Sequence, residues 1–296
     1  MSDNLKKPEW LRVKYSRAAV GETAQIMSDL GLNTVCREAN CPNMGECFAH
    51  RTATFMILGS HCTRNCRFCN VTHAAPDTLD ADEPESVAAA VKKLGLRHAV
   101  VTSVTRDDLP DGGAAHFAEV IRAIHVTSPG TTVEVLIPDF KGDMSALDTV
   151  LDARPEVLGH NVETVERLYG EVRPGADYRR SLSILQRAHG VHGIYTKTGF
   201  MVGLGEERDE VSRLMRDIYS AGCDILTIGQ YLRPSEKHAP LVRYVTPDEF
   251  ADYRCEALEI GFGSVVSAPL VRSSYMAHRS LEELSEKVLT SEECAK

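Results

Sequence analysis

The chain has 296 residues, 43% of them hydrophobic and 25% charged, with a formal net charge of −9. That supplies the core of one large domain with terminal extensions, and the acidic balance gives no support to a nucleic-acid groove. No window approaches about 18 uninterrupted apolar residues, and MSDNLKKPEWLRVKYSR at the start has no apolar core or small-residue cleavage site, so no membrane span, no secretory signal and a cytoplasmic location are expected.

Residues 1–53 carry only short apolar runs and read as an N-terminal extension with one or two short helices. From residue 54 the texture changes. Strand-length runs TFMILG (54–59), HAVVTSV (98–104), TTVEVLIP (131–138), EVLGHN (156–161), IYTKTGFMVG (194–203) and DILTIGQ (224–230) alternate with helical stretches. Those stretches are EPESVAAAVKKLG (83–95), GAAHFAEVIRAIHVT (113–127), DMSALDTVLD (143–152), VETVERLYG (162–170), DYRRSLSILQRAHG (177–190) and ERDEVSRLMRDIYSAG (207–222). The alternation predicts an α/β core over 54–246 with buried parallel strands, either doubly wound or an incomplete (β/α) barrel of six units. A polar loop, LRPSEKHAPLVRY, follows; the segment 247–296 adds a helix to about residue 260, a last short run SVVSAPLVRSSY (264–275) and a tail.

Six of the nine cysteines fall between positions 36 and 69, in two groups of three: CX4CX5C at Cys36, Cys41 and Cys47, and CX3CX2C at Cys62, Cys66 and Cys69. Cys223, Cys255 and Cys294 are scattered, and Cys294 reads as a free thiol. A disulfide framework belongs to small secreted chains, so metal or cluster ligation is the better reading. Each group lacks a fourth cysteine. A structural zinc site would complete the second group with His61, His73 or a distant Cys. A cubane held by three thiolates would instead leave one iron open to an outside ligand, which makes sense only if that iron does chemistry. The second group follows the first strand run, at the strand-end edge where α/β proteins build their sites.

CX3CX2C with Phe68 before the last cysteine resembles the signature of the radical S-adenosylmethionine enzymes. The resemblance implies a partial (β/α)6 barrel, S-adenosylmethionine chelated to the open iron, and reductive cleavage to a 5'-deoxyadenosyl radical. Together with CX4CX5C and Arg272-Ser273-Ser274-Tyr275 near the C-terminus, the likeness narrows to the sulfur-inserting branch that makes lipoyl groups. By that likeness Cys36, Cys41, Cys47 and Ser274 hold a second, auxiliary [4Fe–4S] cluster; the residues alone read Ser273 and Ser274 as a turn or helix cap. The terminal extensions then hold this cluster. The implied reaction inserts two sulfurs, at C6 and C8 of an octanoyl chain on a carrier lysine, using two S-adenosylmethionine molecules and sulfide from the auxiliary cluster. Implied partners are octanoylated lipoyl carrier domains of 2-oxoacid dehydrogenase complexes, the glycine-cleavage carrier protein, an electron donor and an iron–sulfur carrier that rebuilds the cluster.

The likeness places the Gly112-Gly113 loop beside the cofactor's amino group, with Ala114 where relatives have an acidic residue, and the glycine-rich run through Gly203 near adenine. Glu134, Asn161 and Arg173 are polar groups at strand ends: Arg173 suits the methionine carboxylate, and Asn161 or Glu134 suits ribose or substrate, although each also reads as a structural ion pair. Met276 stands where many relatives carry histidine. Arg233, Lys237, His238 and Arg243 form a candidate basic rim for an acidic carrier. Two other readings remain, a sulfur-inserting radical enzyme resembling biotin synthase and a non-catalytic metal-binding scaffold.

Overall fold

A computed structural model of the protein describes residues 6–12, 21–38, 41, 43–49 and 54–284; Cys294 lies outside the described residues. In chain order the elements are α1 (Gly21–Asp29), β1 (Asn33–Thr34), α2 (Val35–Glu38), α3 (Met44–Ala49), β2 (Thr54–Ile57), β3 (His61–Cys62), β4 (Thr72–His73), α4 (Glu83–Leu94) and β5 (His98–Ser103). There follow α5 (Ala114–Thr127), β6 (Thr132–Leu136), α6 (Met144–Asp152), β7 (Val157–Gly159), α7 (Tyr169–Val172), α8 (Tyr178–His189), β8 (Tyr195–Val202), α9 (Arg208–Ser220), β9 (Ile225–Gln230), α10 (Pro247–Ile260) and β10 (Ser264–Ser267).

Eight strands form one sheet in the order β1-β2-β5-β6-β7-β8-β9-β10, parallel throughout except for β1, which pairs antiparallel with β2. β1 and β10 are its two edges, so the sheet is a partial barrel. The six strand runs read from the sequence form its centre. Both terminal extensions add an edge strand, so the division at 53 and 246 cuts across the sheet. Among the described residues no helix is long and apolar enough to cross a membrane.

Local chemistry accounts for the helix ends. α4 has Pro84 in its first turn and stops at Gly95, whose φ of 62° a β-carbon would resist. α10 opens with a capping box between Thr246 and Glu249 and with Pro247 in the first turn. Alternation along the strands separates two faces. Val133, Val135, Leu226 and Ile228 lie in the cores shared with the surrounding helices, so Glu134, Thr227 and Gly229 face the other way, into the barrel.

One predicted helix is shorter than expected. Residues 162–165 are not helical, because Glu163 bridges to β8: its N–H donates to the Gly199 carbonyl and its carbonyl accepts from the Met201 N–H. Only a 3-10 turn, Glu166–Leu168, and α7 follow. The ladder to β8 outweighs the local helical pattern.

After β10, residues 268–276 form a strap along the inner face of β9. Ala268 donates to the Ile228 carbonyl and Gln230 to the Pro269 carbonyl. A β-carbon on Gly229 would collide with the Val271 carbonyl oxygen, so only glycine leaves room for the strap. Residues 277–284 are helical, and Leu284 packs on Val157 and Ile225 at the start of β7 and β9.

Candidate functional site

The first cysteine loop leaves the carboxyl end of β2 through a sharp bend. Leu58 has a φ of 69°; its N–H donates to buried Glu83 at 2.8 Å and its carbonyl accepts from buried Arg106 at 3.0 Å. Cys62 then sits in β3. Its sulfur accepts the N–H of Thr105 at 3.3 Å and of Arg64 at 3.4 Å. Cys66 and Cys69 are joined by a turn in which the Cys69 N–H donates to the Cys66 carbonyl. His238 hydrogen-bonds the Cys69 carbonyl through Nε2 at 3.0 Å and Ser235 through Nδ1 at 2.9 Å. Burial pushes the Cys66 thiol up to about 11 and the Cys69 thiol up to about 12, and neighbouring cysteine charge adds to both.

The other group, Cys36, Cys41 and Cys47, is built around α2 and α3. Buried Cys36 packs directly on Cys41 and Cys47. Burial, reinforced by Cys36 and Cys41, raises the Cys47 thiol to about 12. Side chains tie this group to the rest of the molecule. Asn43, 3% exposed, donates to the Leu270 carbonyl of the strap at 2.7 Å; Tyr275 donates to Glu46 at 3.3 Å; Asn70, just after Cys69, donates to the Glu38 carbonyl at 2.7 Å. Ser274 lies in the strap between two held neighbours. Ser273 accepts from Asn161 Nδ2 at 3.2 Å, and Tyr275 reaches Glu46.

The donor chemistry fits iron–sulfur clusters. Each place gathers three soft sulfurs, buried or partly buried, and a metal binds such thiols as thiolates. Among the described residues no three His, Cys, Asp or Glu side chains converge on a point suited to a single ion, whereas a cubane takes each thiolate on a different iron.

Between the two groups lies a polar ridge. Asn161 stands on the rim past β7, and its buried Oδ1 has no protein partner. Arg173, 9% exposed, donates through one guanidinium nitrogen to the Asn161 carbonyl at 2.9 Å, to Tyr169 at 2.8 Å and to Ser181 at 3.2 Å. Its charge lies close enough to Cys66 to favour the thiolate there. Glu163 is half-buried at a φ of 71°, a strained conformation for a residue with a side chain. Burial raises its carboxyl above the ordinary range, opposed by Arg173 and then Asn161 and Arg272. Burial lowers the Arg272 pKa, opposed by Cys41 and Glu163. Glu163 and Arg272 thus join the two cysteine groups electrostatically, a role the sequence reading missed. Its signal was in reach, since Glu163 follows Asn161 by two residues and Arg272 adjoins the serines.

Other candidate residues land elsewhere. Glu134 is not at a strand end; it sits in mid-strand, with both oxygens on Lys197 Nζ at 2.7 and 2.9 Å and both side chains 3% exposed. Its ribose role gives way to a buried ion pair. Gly112 and Gly113 are needed for packing, since β-carbons there would meet Phe140 and Leu58; any share in cofactor recognition falls to their backbone. At Gly203 a β-carbon would meet Gln230 and the Arg243 carbonyl, so glycine is needed there for packing. The basic rim is only partly free: His238 is pinned to Cys69, Arg243 pairs with Glu249 at 2.8 Å, and Arg233 bonds the carbonyls of Glu236 and His238, while Arg233 and Lys237 remain exposed.

The parallel partial barrel, with three cysteines on the loop past its first parallel strand, defines a class. The profile of the radical SAM superfamily matches residues 56–218, and the chain belongs to that superfamily. Two solved structures share the fold: methylornithine synthase, at a TM-score of 0.52 and 14% identity over 82% of this chain and 81% of its own, and Streptococcus suis SuiB bound to S-adenosylmethionine, at 0.53 and 10% over 74% and 50%. The lipoyl synthase of Rubrobacter xylanophilus is 57% identical over 94% of this chain and 87% of its own length, and that of Caldanaerobacter subterraneus subsp. tengcongensis 56% over 92% and 96%. The chain belongs to the lipoyl synthase family, and it is an enzyme that uses S-adenosylmethionine and iron–sulfur chemistry.

Proposed function

We propose that this chain inserts two sulfur atoms, at C6 and C8, into an octanoyl group carried on a lysine of a lipoyl carrier domain. The observation that carries the reading is a pair of three-cysteine groups linked by Asn70–Glu38, with the Ser274 strap tied to one group by Asn43–Leu270 and to the β7 rim by Asn161–Ser273. When bound, one [4Fe–4S] cluster with S-adenosylmethionine supplies a carbon radical able to take hydrogen from an unactivated chain, and a second supplies sulfide. No side-chain base could remove protons from such carbons.

Cys62, Cys66 and Cys69 hold the first cluster; Cys36, Cys41, Cys47 and Ser274 hold the second. Arg173 is placed to meet the methionine carboxylate, its position fixed by Tyr169, Ser181 and the Asn161 carbonyl. The free Oδ1 of Asn161 and the Glu163 carboxyl form an acceptor pair suited to hydroxyl groups. Ser274 would offer a hard oxygen among soft sulfurs and so would be the weakest attachment of that cluster. The substrate chain threads between the two groups, held by burial at about 0.8 kcal/mol per CH2 and kept from water.

Anaerobic turnover with an octanoyl-lysine peptide tests this. The product should show the mass of a dithiolane with two 5'-deoxyadenosines per lipoyl group formed. Intact S-adenosylmethionine under reducing conditions with peptide bound would refute it. A small free substrate turned over in place of the peptide would favour a different sulfur-inserting enzyme.

A further inference from the structure

Between Cys62 and Cys66 stands an arginine that the proposed reaction leaves without a task. Arg64 is 8% exposed, and its guanidinium forks onto two carboxylates from different strands. Nε and one terminal nitrogen bind Asp107, past β5, at 2.7 and 2.9 Å. The same terminal nitrogen meets Asp139, past β6, at 2.6 Å. Asp139 is fully buried; its other oxygen takes Arg180 of α8 at 3.1 Å, and it also accepts the Lys141 N–H at 3.1 Å. The chain there is bent to aim it, with φ values of 44° at Phe140 and 55° at Lys141. A second layer ties the same arc. Thr63 bonds the Thr105 carbonyl through both its N–H and its hydroxyl, and the Asp107 N–H donates to the Thr63 hydroxyl.

Two arginines and two aspartates neutralise one another, so the net charge reaching the cysteines is small and the fork acts through geometry. It fixes the peptide that sends the Arg64 N–H to the Cys62 sulfur, and hydrogen bonds to ligand sulfurs set the potential of an iron–sulfur cluster. A lysine could offer one nitrogen to both carboxylates but not the second, Nε contact to Asp107, because its ammonium is a point charge and not a planar fork.

We propose that Arg64 is a positioning residue for the first cluster: through Asp107 and Asp139 it holds the Cys62–Cys66 arc to the rims of β5 and β6, gathering the thiols before iron arrives and fixing the N–H on Cys62. This rests on the reading of Cys62, Cys66 and Cys69 as cluster ligands.

The test uses full-length protein reconstituted anaerobically, as wild type, Arg64→Met, Arg64→Lys and Asp107→Asn. Iron per chain, the melting curve, the potential of the reduced cluster and its EPR change on adding S-adenosylmethionine are measured. Wild type should carry about eight irons and respond to the cofactor; failure there sinks the ligand reading itself. Arg64→Met should fall to about half the iron and lose the EPR response while still melting cooperatively. Arg64→Lys and Asp107→Asn should keep iron but shift the potential downward as the N–H leaves Cys62. Wild-type iron, potential and response in Arg64→Met, whatever its melting temperature, would reduce Arg64 to a structural residue. Should Arg64→Met not fold, unchanged potentials in the other two variants would overturn the proposal equally.

Discussion

Glutamine at position 134 removes the counter-charge of Lys197 while keeping the shape of the side chain. The Lys197 ammonium donates to both Glu134 oxygens and to no other acceptor among the described residues, and the two side chains are each 3% exposed. Stranding one charge of a buried pair costs about 3–5 kcal/mol. At roughly 2–4 °C per kcal/mol for a large domain, Glu134→Gln should lower the melting temperature on the order of 10 °C. The double variant Glu134→Gln with Lys197→Met removes both charges and should recover most of that loss. The pH dependence has a definite sign. Burial by itself would raise the Glu134 pKa, but the Lys197 charge, with His98 Nε2 3.5 Å away, outweighs it and holds the carboxyl below its ordinary 4.5. Because the folded value is depressed, the stabilisation is fully present above 4.5 and is lost as pH falls through the folded value. The gap between wild type and variant should therefore be flat near neutrality and close only in acid. Thermal melts at several pH values, paired with S-adenosylmethionine binding by equilibrium dialysis, check this. A variant that melts like wild type but loses the cofactor would refute the reasoning and return Glu134 to the binding site.

Ser274→Ala should leave the first cluster and its cofactor response intact while the Mössbauer signature of the second changes and lipoyl formation falls; an unchanged second cluster would show that another group is the ligand. Gly229→Ala sets a β-carbon against the Val271 carbonyl, 3.2 Å from its carbon and 3.4 Å from Arg272. The strap must shift, at about 1–3 kcal/mol, and second-cluster iron should drop with the first retained. Asn43→Leu leaves the Leu270 carbonyl without its donor at about 1–3 kcal/mol; second-cluster occupancy after reconstitution should fall and the melting temperature drop by a few degrees.

Much of the site was legible because its chemistry is local in sequence. Three cysteines within eight residues must share one loop, and the apolar run before them fixes that loop at a strand end. The six central strands were legible for a similar reason, since β-branched runs between capped helices have few alternatives. Residues 162–170 were misread because their helical spacing competes with a ladder to β8 that only the assembled sheet supplies. Glu134 was misplaced because sequence locates a carboxylate along a strand but does not reveal that Lys197, 63 residues on, lies beside it.

The sequence by itself determined where the two groups of three cysteines lie and which repeating unit carries them, because thiol spacing and strand–helix periodicity are short-range properties. Only the tertiary structure decided that the strap bearing Ser274 lies along the inside of β9, that Asn43 of the N-terminal segment holds it at Leu270 across 227 positions, and that Arg64 is clasped from two strands. These contacts depend on how a curved sheet brings distant segments together, and no local pattern encodes that approach.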